Sequence, residues 1–114
     1  MNQPLKILLL EDELSACQEI ENYIKTRDDV ILTRYTSDSQ EAARILPEDN
    51  PDVVIVDLEL HYGTGNGISF LMELNELPLA KRPYILVTTN NSSRTTHDAV
   101  RTLGADFILA KYEN

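Results

Sequence analysis

One cysteine in 114 residues cannot close an intramolecular disulfide, so the fold has to rest on burial and hydrogen bonding alone. Basic residues are also scarce. Ten Lys and Arg stand against nineteen Asp and Glu, for a formal net charge of -9. That charge repels the phosphate backbone of nucleic acids and anionic membrane surfaces, which argues against direct contact with either. No apolar stretch approaches the roughly 20 residues of a membrane span. The opening "MNQPLKILLL" has a single lysine, a short apolar run and no small-residue cleavage site, so a cytoplasmic chain is expected. Internal repeats and low-complexity segments are missing as well. What is present is a 42% apolar composition, enough to bury one domain's core at this length.

Strand-like and helix-like stretches alternate along the chain. Leu5 to Leu10 is nearly all apolar and reads as a buried strand; "EDELSACQEIENYIKTRDD" then places Leu14, Cys17, Ile20 and Ile24 near helical spacing, with acids early and bases late. Cys17 is expected to pack in the core. "VILTRYT" is the second strand. Ser37 with Gln40 fits an S-x-x-Q capping box opening a helix through Ala42, Ile45 and Leu46, and Pro47 and Pro51 bracket a loop. Asp52 to Asp57 is the third strand. The Gly-rich "HYGTGNG" leads to a helix whose apolar face is expected at Ile68, Leu71, Met72 and Leu74. "YILVT" is the fourth strand, "SSRTTHDAVRTL" a helix opened by a Ser cap and closed by Gly104, and "DFILAK" the fifth strand. Five strands alternating with helices imply an α/β domain, a parallel sheet covered on both faces and joined by right-handed crossovers.

The chemistry lies where these strands end. In open parallel sheets, ligands bind outside the carboxyl ends of the strands. Strand one ends in Glu11 and Asp12, strand three in Asp57, strand four in Thr88 and Thr89, and strand five in Lys111. Three carboxylates, a hydroxyl and an ammonium are thus expected at one edge. Carboxylates at such range repel by roughly 1 kcal/mol per pair at 4 Å in water, and about fourfold more at an effective dielectric of 20. A cation has to relieve that repulsion. Lys111 is one candidate; a hard divalent ion bound through oxygens is the other, and Mg²⁺ suits because it accepts one or two carboxylates, waters and a phosphate oxygen. A carboxylate so placed can attack phosphorus to give an aspartyl phosphate, with Thr88 donating a hydrogen bond to a phosphoryl oxygen. His61 and His97 have no partners at metal-ligand spacing and read as surface residues.

Taken together, "LLLEDE", "VVIVDLEL", "ILVTT" and "LGADFILAK" resemble, in order and approximate spacing over nearly the whole chain, the receiver domain of two-component response regulators. That resemblance implies a flavodoxin-like, doubly wound five-stranded sheet of order 2-1-3-4-5. It implies Asp57 as phosphoacceptor, Thr88 as the switch hydroxyl and Lys111 as the lysine contacting the phosphoryl group. For the metal, Mg²⁺ or Mn²⁺, it implies Asp12 and Asp57 as direct ligands, Glu11 through water, and the backbone carbonyl of Glu59. A histidine kinase would be the phosphodonor. The chain would catalyse only its own phosphorylation and dephosphorylation, controlling an output domain or partner; homodimerisation is left open.

Several positions depart from that family's pattern. Tyr112 follows Lys111 where the family usually has a cis proline, and a trans bond is expected because cis bonds at other residues cost about 2.5 to 4 kcal/mol. Ile108, with Phe107 beside it, occupies a position where an aromatic residue often swings inward. His61 replaces a common proline, and "GTGNG" aligns through either Gly65 or Gly67. Glu59 could aim a further charge at the phosphoryl group or reach the metal, and is expected to alter the dephosphorylation rate. The chain stops three residues past Lys111, so the family's last helix is expected to be absent or truncated and residues 1–114 to be the N-terminal part of a longer protein. Without that helix an apolar surface would remain on strands one, three or five. Two other functional classes compete. A pseudo-receiver, an interaction module without phosphorylation, would lack the acidic pair, acceptor or lysine, and none is missing. A phosphate-ester hydrolase would echo "DLE" at Asp57 to Glu59, but no cap domain fits this length.

Overall fold

The computed structural model describes residues 3–60 and 66–110. Nine elements alternate in these segments: β1 (Leu5–Leu10), α1 (Leu14–Lys25), β2 (Val30–Thr36), α2 (Ser39–Asp49), β3 (Val53–Asp57), α3 (Gly67–Glu76), β4 (Tyr84–Thr89), α4 (Arg94–Thr102) and β5 (Phe107–Ala110). The strands form one parallel sheet of order β2-β1-β3-β4-β5, the flavodoxin-like order expected from the sequence. The order reverses between β1 and β3. There the two chain directions out of the sheet diverge and leave a crevice above the strand ends.

Side chains alternate across a strand, and the burial of this sheet divides accordingly. Leu8, Leu10, Val54, Val56, Ile85 and Val87 share one face, sealed by Ala42, Ile45 and Leu46 of α2, Phe70, Leu71 and Leu74 of α3 and Val100 of α4. Each fully buried Leu, Val or Phe contributes about 1.5–3 kcal/mol relative to exposure, so this layer carries most of the stability. The opposite face receives α1. Ile20 and Ile24 there border a groove of about 580 Å³ whose sheet side includes Ile7 of β1, Val30 of β2, Ile55 of β3, Leu86 and Thr88 of β4 and Leu109 of β5. This is the apolar surface the sequence leads one to expect. Tyr84, Phe107 and Leu109, on the same face by alternation, are about half exposed among the described residues. Ile108, by contrast, packs against the helix-covered core, and Phe107 beside it points the other way.

Three local expectations are corrected. The cap of α2 is Asp38 and not Ser37: the Asp38 carboxylate accepts from the Gln40 and Glu41 amides, a charged acceptor matched to the positive end of the helix. Pro47 does not open a loop. It sits inside α2, near enough to the end that the helix loses little, and the Asn50 amide reaches back to the Leu46 carbonyl at 2.8 Å with Asn50 in the left-handed region at φ 48°. In α3 the buried stripe is Phe70, Leu71 and Leu74, while Ile68 and Met72 are exposed. The Asn66 capping box, with reciprocal bonds to Ser69, fixes where this helix starts and hence which residues face inward. Helix α4 follows its expected punctuation, with Ser93 as N-cap and Gly104 at φ 109° after its end.

Candidate functional site

Every candidate side chain in the described residues emerges from the carboxyl end of a central strand. Glu11 and Asp12 follow β1, and the Glu11 amide donates to the Thr36 carbonyl at 3.0 Å, pinning the chain to the end of β2 as it leaves the sheet. Asp57 is the last residue of β3. In the β3–β4 register it pairs with Thr88, so both side chains leave the sheet on one face. One carboxylate oxygen from each of Glu11, Asp12 and Asp57 lies within 4.8 Å of the others. Glu11 and Asp57 are buried, at 4% and 2% exposure, so solvent screens this charge only weakly. A cleft of about 340 Å³, lined by Glu11, Asp12, Tyr35, Thr36, Ser37 and Glu41, opens the Glu11 and Asp12 side of this group to the outside.

Backbone contacts orient the group. The Glu59 amide donates to Asp57 Oδ1 at 3.0 Å, the Glu13 amide to Glu11 Oε2 at 3.2 Å, and the Leu58 amide to the Thr88 carbonyl at 2.9 Å, which extends the β3–β4 ladder past Asp57. Thr88 Oγ1 is buried and makes no hydrogen bond among the described residues. A buried hydroxyl without a partner costs about 1–3 kcal/mol, a cost that a ligand oxygen would remove. Oxygen donors alone, gathered this closely, suit a hard cation such as Mg²⁺ or Mn²⁺.

Cys17 reports on the same field. Its thiol is buried under Glu11, 3.7 Å from that residue's carbonyl. Burial first, then the charges of Glu11, Asp12, Glu21 and Asp57, push its pKa from 9.0 up to about 11. The thiol is therefore expected to resist alkylation at pH 8 and to react only as pH approaches about 11. Because the folded value exceeds the unfolded one, the contribution of Cys17 to stability is intact below about pH 9 and is lost between about 9 and 11. Denaturant titrations across that window, compared with Cys17→Ala, check the sign.

The Glu59 side chain departs from expectation. It does not join the carboxylate group; its two oxygens accept from Thr89 Oγ1 and, at 2.7 Å, from the Asn90 amide. Thr89, named from the sequence at the end of strand four, is thus joined by Asn90, a site neighbour that the sequence alone did not single out. The available signal was an acid two residues after Asp57 and a polar run after β4, which are residues on separate strands. Of the two glycines through which "GTGNG" aligns, Gly67 is tightly packed: a Cβ there would stand 2.7 Å from both the Asp57 carbonyl oxygen and Leu58 Cα, so α3 begins against the backbone of Asp57 and Leu58. Lys111, Tyr112, His61 and Gly65 lie outside the described residues. His97 is partly buried, and its Nε2 donates to the Asn91 carbonyl at 2.7 Å.

Residues 7–114 match the family described as the response regulator receiver domain. The chain belongs to that family. A curated relative, the protein-glutamate methylesterase/protein-glutamine glutaminase 2 of Rhizobium johnstonii, is 29% identical over 113 residues, 96% of the chain but only 29% of the relative's length. Among solved structures, the receiver superposes with a TM-score of 0.83 on a LuxR-family two-component response regulator from Aurantimonas sp. SI85-9A1, 22% identical, covering 97% of this chain and 76% of that one. The Mn(2+)-bound form of response regulator Rcp1 gives 0.82 at 26% identity, covering 97% of this chain and 84% of that one. Receiver domains accept phosphate from histidine kinases and regulate output domains. Among the described residues of this receiver no helix is long and apolar enough to cross a membrane.

Proposed function

We propose that this receiver takes a phosphoryl group from a phosphohistidine kinase onto Asp57. The observation that carries the reading is the convergence of three carboxylate oxygens within 4.8 Å, on the strand end where Asp57 pairs in register with a buried hydroxyl that has no partner among the described residues. An Asp57 oxygen attacks phosphorus as the P–N bond to the donor imidazole breaks, and the electron pair of that bond leaves with the imidazole, which takes up a proton. The Glu59 amide holds the Asp57 carboxylate in position for this attack. Asp12, Asp57, Glu11 and the Glu59 carbonyl would hold Mg²⁺ or Mn²⁺, a reading supported by the donor set and by the Mn(2+)-bound relative. Such an ion supplies positive charge against the phosphoryl oxygens. Lys111 supplies a second positive charge, and Thr88 donates its hydroxyl to one phosphoryl oxygen. The reaction occurs once per chain and ends in a charged protein, read by an output domain or partner through the repositioned loop after β4.

Incubation with Mg²⁺ and acetyl phosphate, followed by intact-mass and peptide-mass measurement, tests this. One phosphoryl group per chain, on the peptide containing Asp57 and absent with a chelator, is the expected result. Steady hydrolysis of a phosphate ester, or a label on another residue, would replace the switch with a hydrolase or move the acceptor.

A further inference from the structure

We propose that the Glu59 carboxylate is a latch on the loop between β4 and α4, closed in the unphosphorylated protein and opened by charge arriving on Asp57. The inference rests on the phosphoacceptor reading above.

Glu59 touches both sides of the switch. Its amide donates to Asp57 Oδ1 at 3.0 Å, while its carboxylate accepts from Thr89 Oγ1 and from the Asn90 amide at 2.7 Å. Bonds to an ionised acceptor are roughly twice as strong as neutral ones. They are relayed onward. Thr89 Oγ1, having given its proton to Glu59, accepts from the Asn91 amide at 2.9 Å; Asn91 Oδ1 accepts from the Ser93 amide at 2.8 Å; and the Asn91 carbonyl accepts from His97 Nε2 at 2.7 Å. One carboxylate therefore anchors the whole stretch from the end of β4 to the second turn of α4. Thr89 is fully buried, so its hydroxyl is committed to Glu59, whereas the adjacent Thr88 hydroxyl makes no hydrogen bond among the described residues.

Phosphorylation unbalances this arrangement. Phosphorylation replaces the single carboxylate charge of Asp57 with a phosphoryl group carrying about -1.5 to -2, a gain of up to about one negative charge on the residue whose side chain the Glu59 amide already holds. Like charges repel, and the Glu59 carboxylate, carried two residues along from Asp57 and bonded to the loop after β4, is pushed away from the added charge. Where Thr88 follows a phosphoryl oxygen by a shift of the β4 end, Thr89 and Asn90 move with it, and those two residues are held by Glu59. Opening the latch and engaging Thr88 are thus one movement. The carboxylate opposes activation until the phosphoryl group is present, and its loss frees the loop without any phosphate.

Backbone hydrogen exchange at Asn90 reads the latch directly, using the domain with and without Mg²⁺ and fluoroberyllate as the phosphoryl mimic. In the unmodified protein Asn90 is expected to be protected; in Glu59→Ala it should exchange about tenfold faster with the β3 amides unaltered, as expected for one bond to a charged acceptor. Glu59→Gln, which keeps the shape and loses the charge, should fall between the two. Fluoroberyllate should speed Asn90 exchange in the unmodified protein and change it little in Glu59→Ala. Equal Asn90 protection in the unmodified and Glu59→Ala proteins overturns the latch, as does protection that persists with fluoroberyllate bound. Acetyl phosphate labelling run in parallel separates the two readings. Labelling of Asp57 without a change at Asn90 overturns the latch alone, whereas no labelling of the unmodified protein overturns the acceptor reading and the latch's release with it.

Discussion

Replacing Asp57 with asparagine is expected to abolish phosphoryl uptake and, in the absence of divalent metal, to raise the stability of the fold by about 1–3 kcal/mol. The two effects have one cause. Three carboxylate oxygens within 4.8 Å repel by about 3 kcal/mol per pair at an effective dielectric of 20, and solvent reaching the cleft beside Glu11 and Asp12 reduces that figure. Asparagine removes one of the charges and keeps Oδ1 as the acceptor for the Glu59 amide, so the local geometry survives while the nucleophile is gone. For a domain of this size the gain corresponds to a rise in Tm of several degrees. Mg²⁺ should then act in opposite proportion. It stabilises the unmodified protein by mass action, because it binds the native carboxylates and not the unfolded chain, and it should stabilise Asp57→Asn far less. Thermal or urea denaturation with chelator and with Mg²⁺, beside mass measurement after acetyl phosphate, gives all four quantities. A variant less stable than the parent in chelator would show that the acidic group is not under mutual repulsion.

The parts of this site that the sequence displays are those that local pattern controls. Four consecutive apolar residues before Asp57 mark a strand buried on both faces, and once the strands are placed, the rule that ligands gather at their carboxyl ends brings Glu11, Asp12, Asp57 and Thr88 together without further information. The misreadings occur where a local signal has two solutions. Ser37 and Asp38 are both good caps, and the choice of Asp38 depends on where the chain leaves β2, since the Asp38 amide is itself held by Thr36 Oγ1 at 3.2 Å. Pro47 breaks most helices, but its position near the end of α2 requires little of the backbone bonding it removes. Ile68 and Met72 are as apolar as Phe70 and Leu74, and only the starting point of α3 decides which pair turns inward. Glu59 was harder still. Its backbone holds the Asp57 carboxylate and its side chain the loop after β4, and no periodicity relates residues about thirty positions apart on neighbouring strands.

Gly67→Ala is the substitution expected to damage the site most from outside it. Alanine is better than glycine in a helix by about 1 kcal/mol, so at an unobstructed first turn the change would stabilise the protein. Here the added Cβ would meet the Asp57 carbonyl oxygen at 2.7 Å, Leu58 Cα at 2.7 Å and the Leu58 carbonyl oxygen at 3.2 Å. All three are backbone atoms, which cannot rotate aside as a side chain would. Either α3 backs away, loosening Phe70, Leu71 and Leu74 from the core, or the chain just after β3 is displaced and takes the Asp57 carboxylate with it. The first route costs about 1–3 kcal/mol, the usual range for overpacking. The second misplaces the nucleophile, and a shift near 1 Å can slow a positioned reaction by about a hundredfold. Denaturant unfolding and the rate of labelling by acetyl phosphate separate the routes, with exposed Ile68→Ala as a control expected to stay within about 0.5 kcal/mol of the parent. A Gly67→Ala protein that is stabilised and labels at the parental rate would mean that α3 does not begin against the acceptor's backbone, and the rigid seat assigned to Asp57 would have to be sought elsewhere.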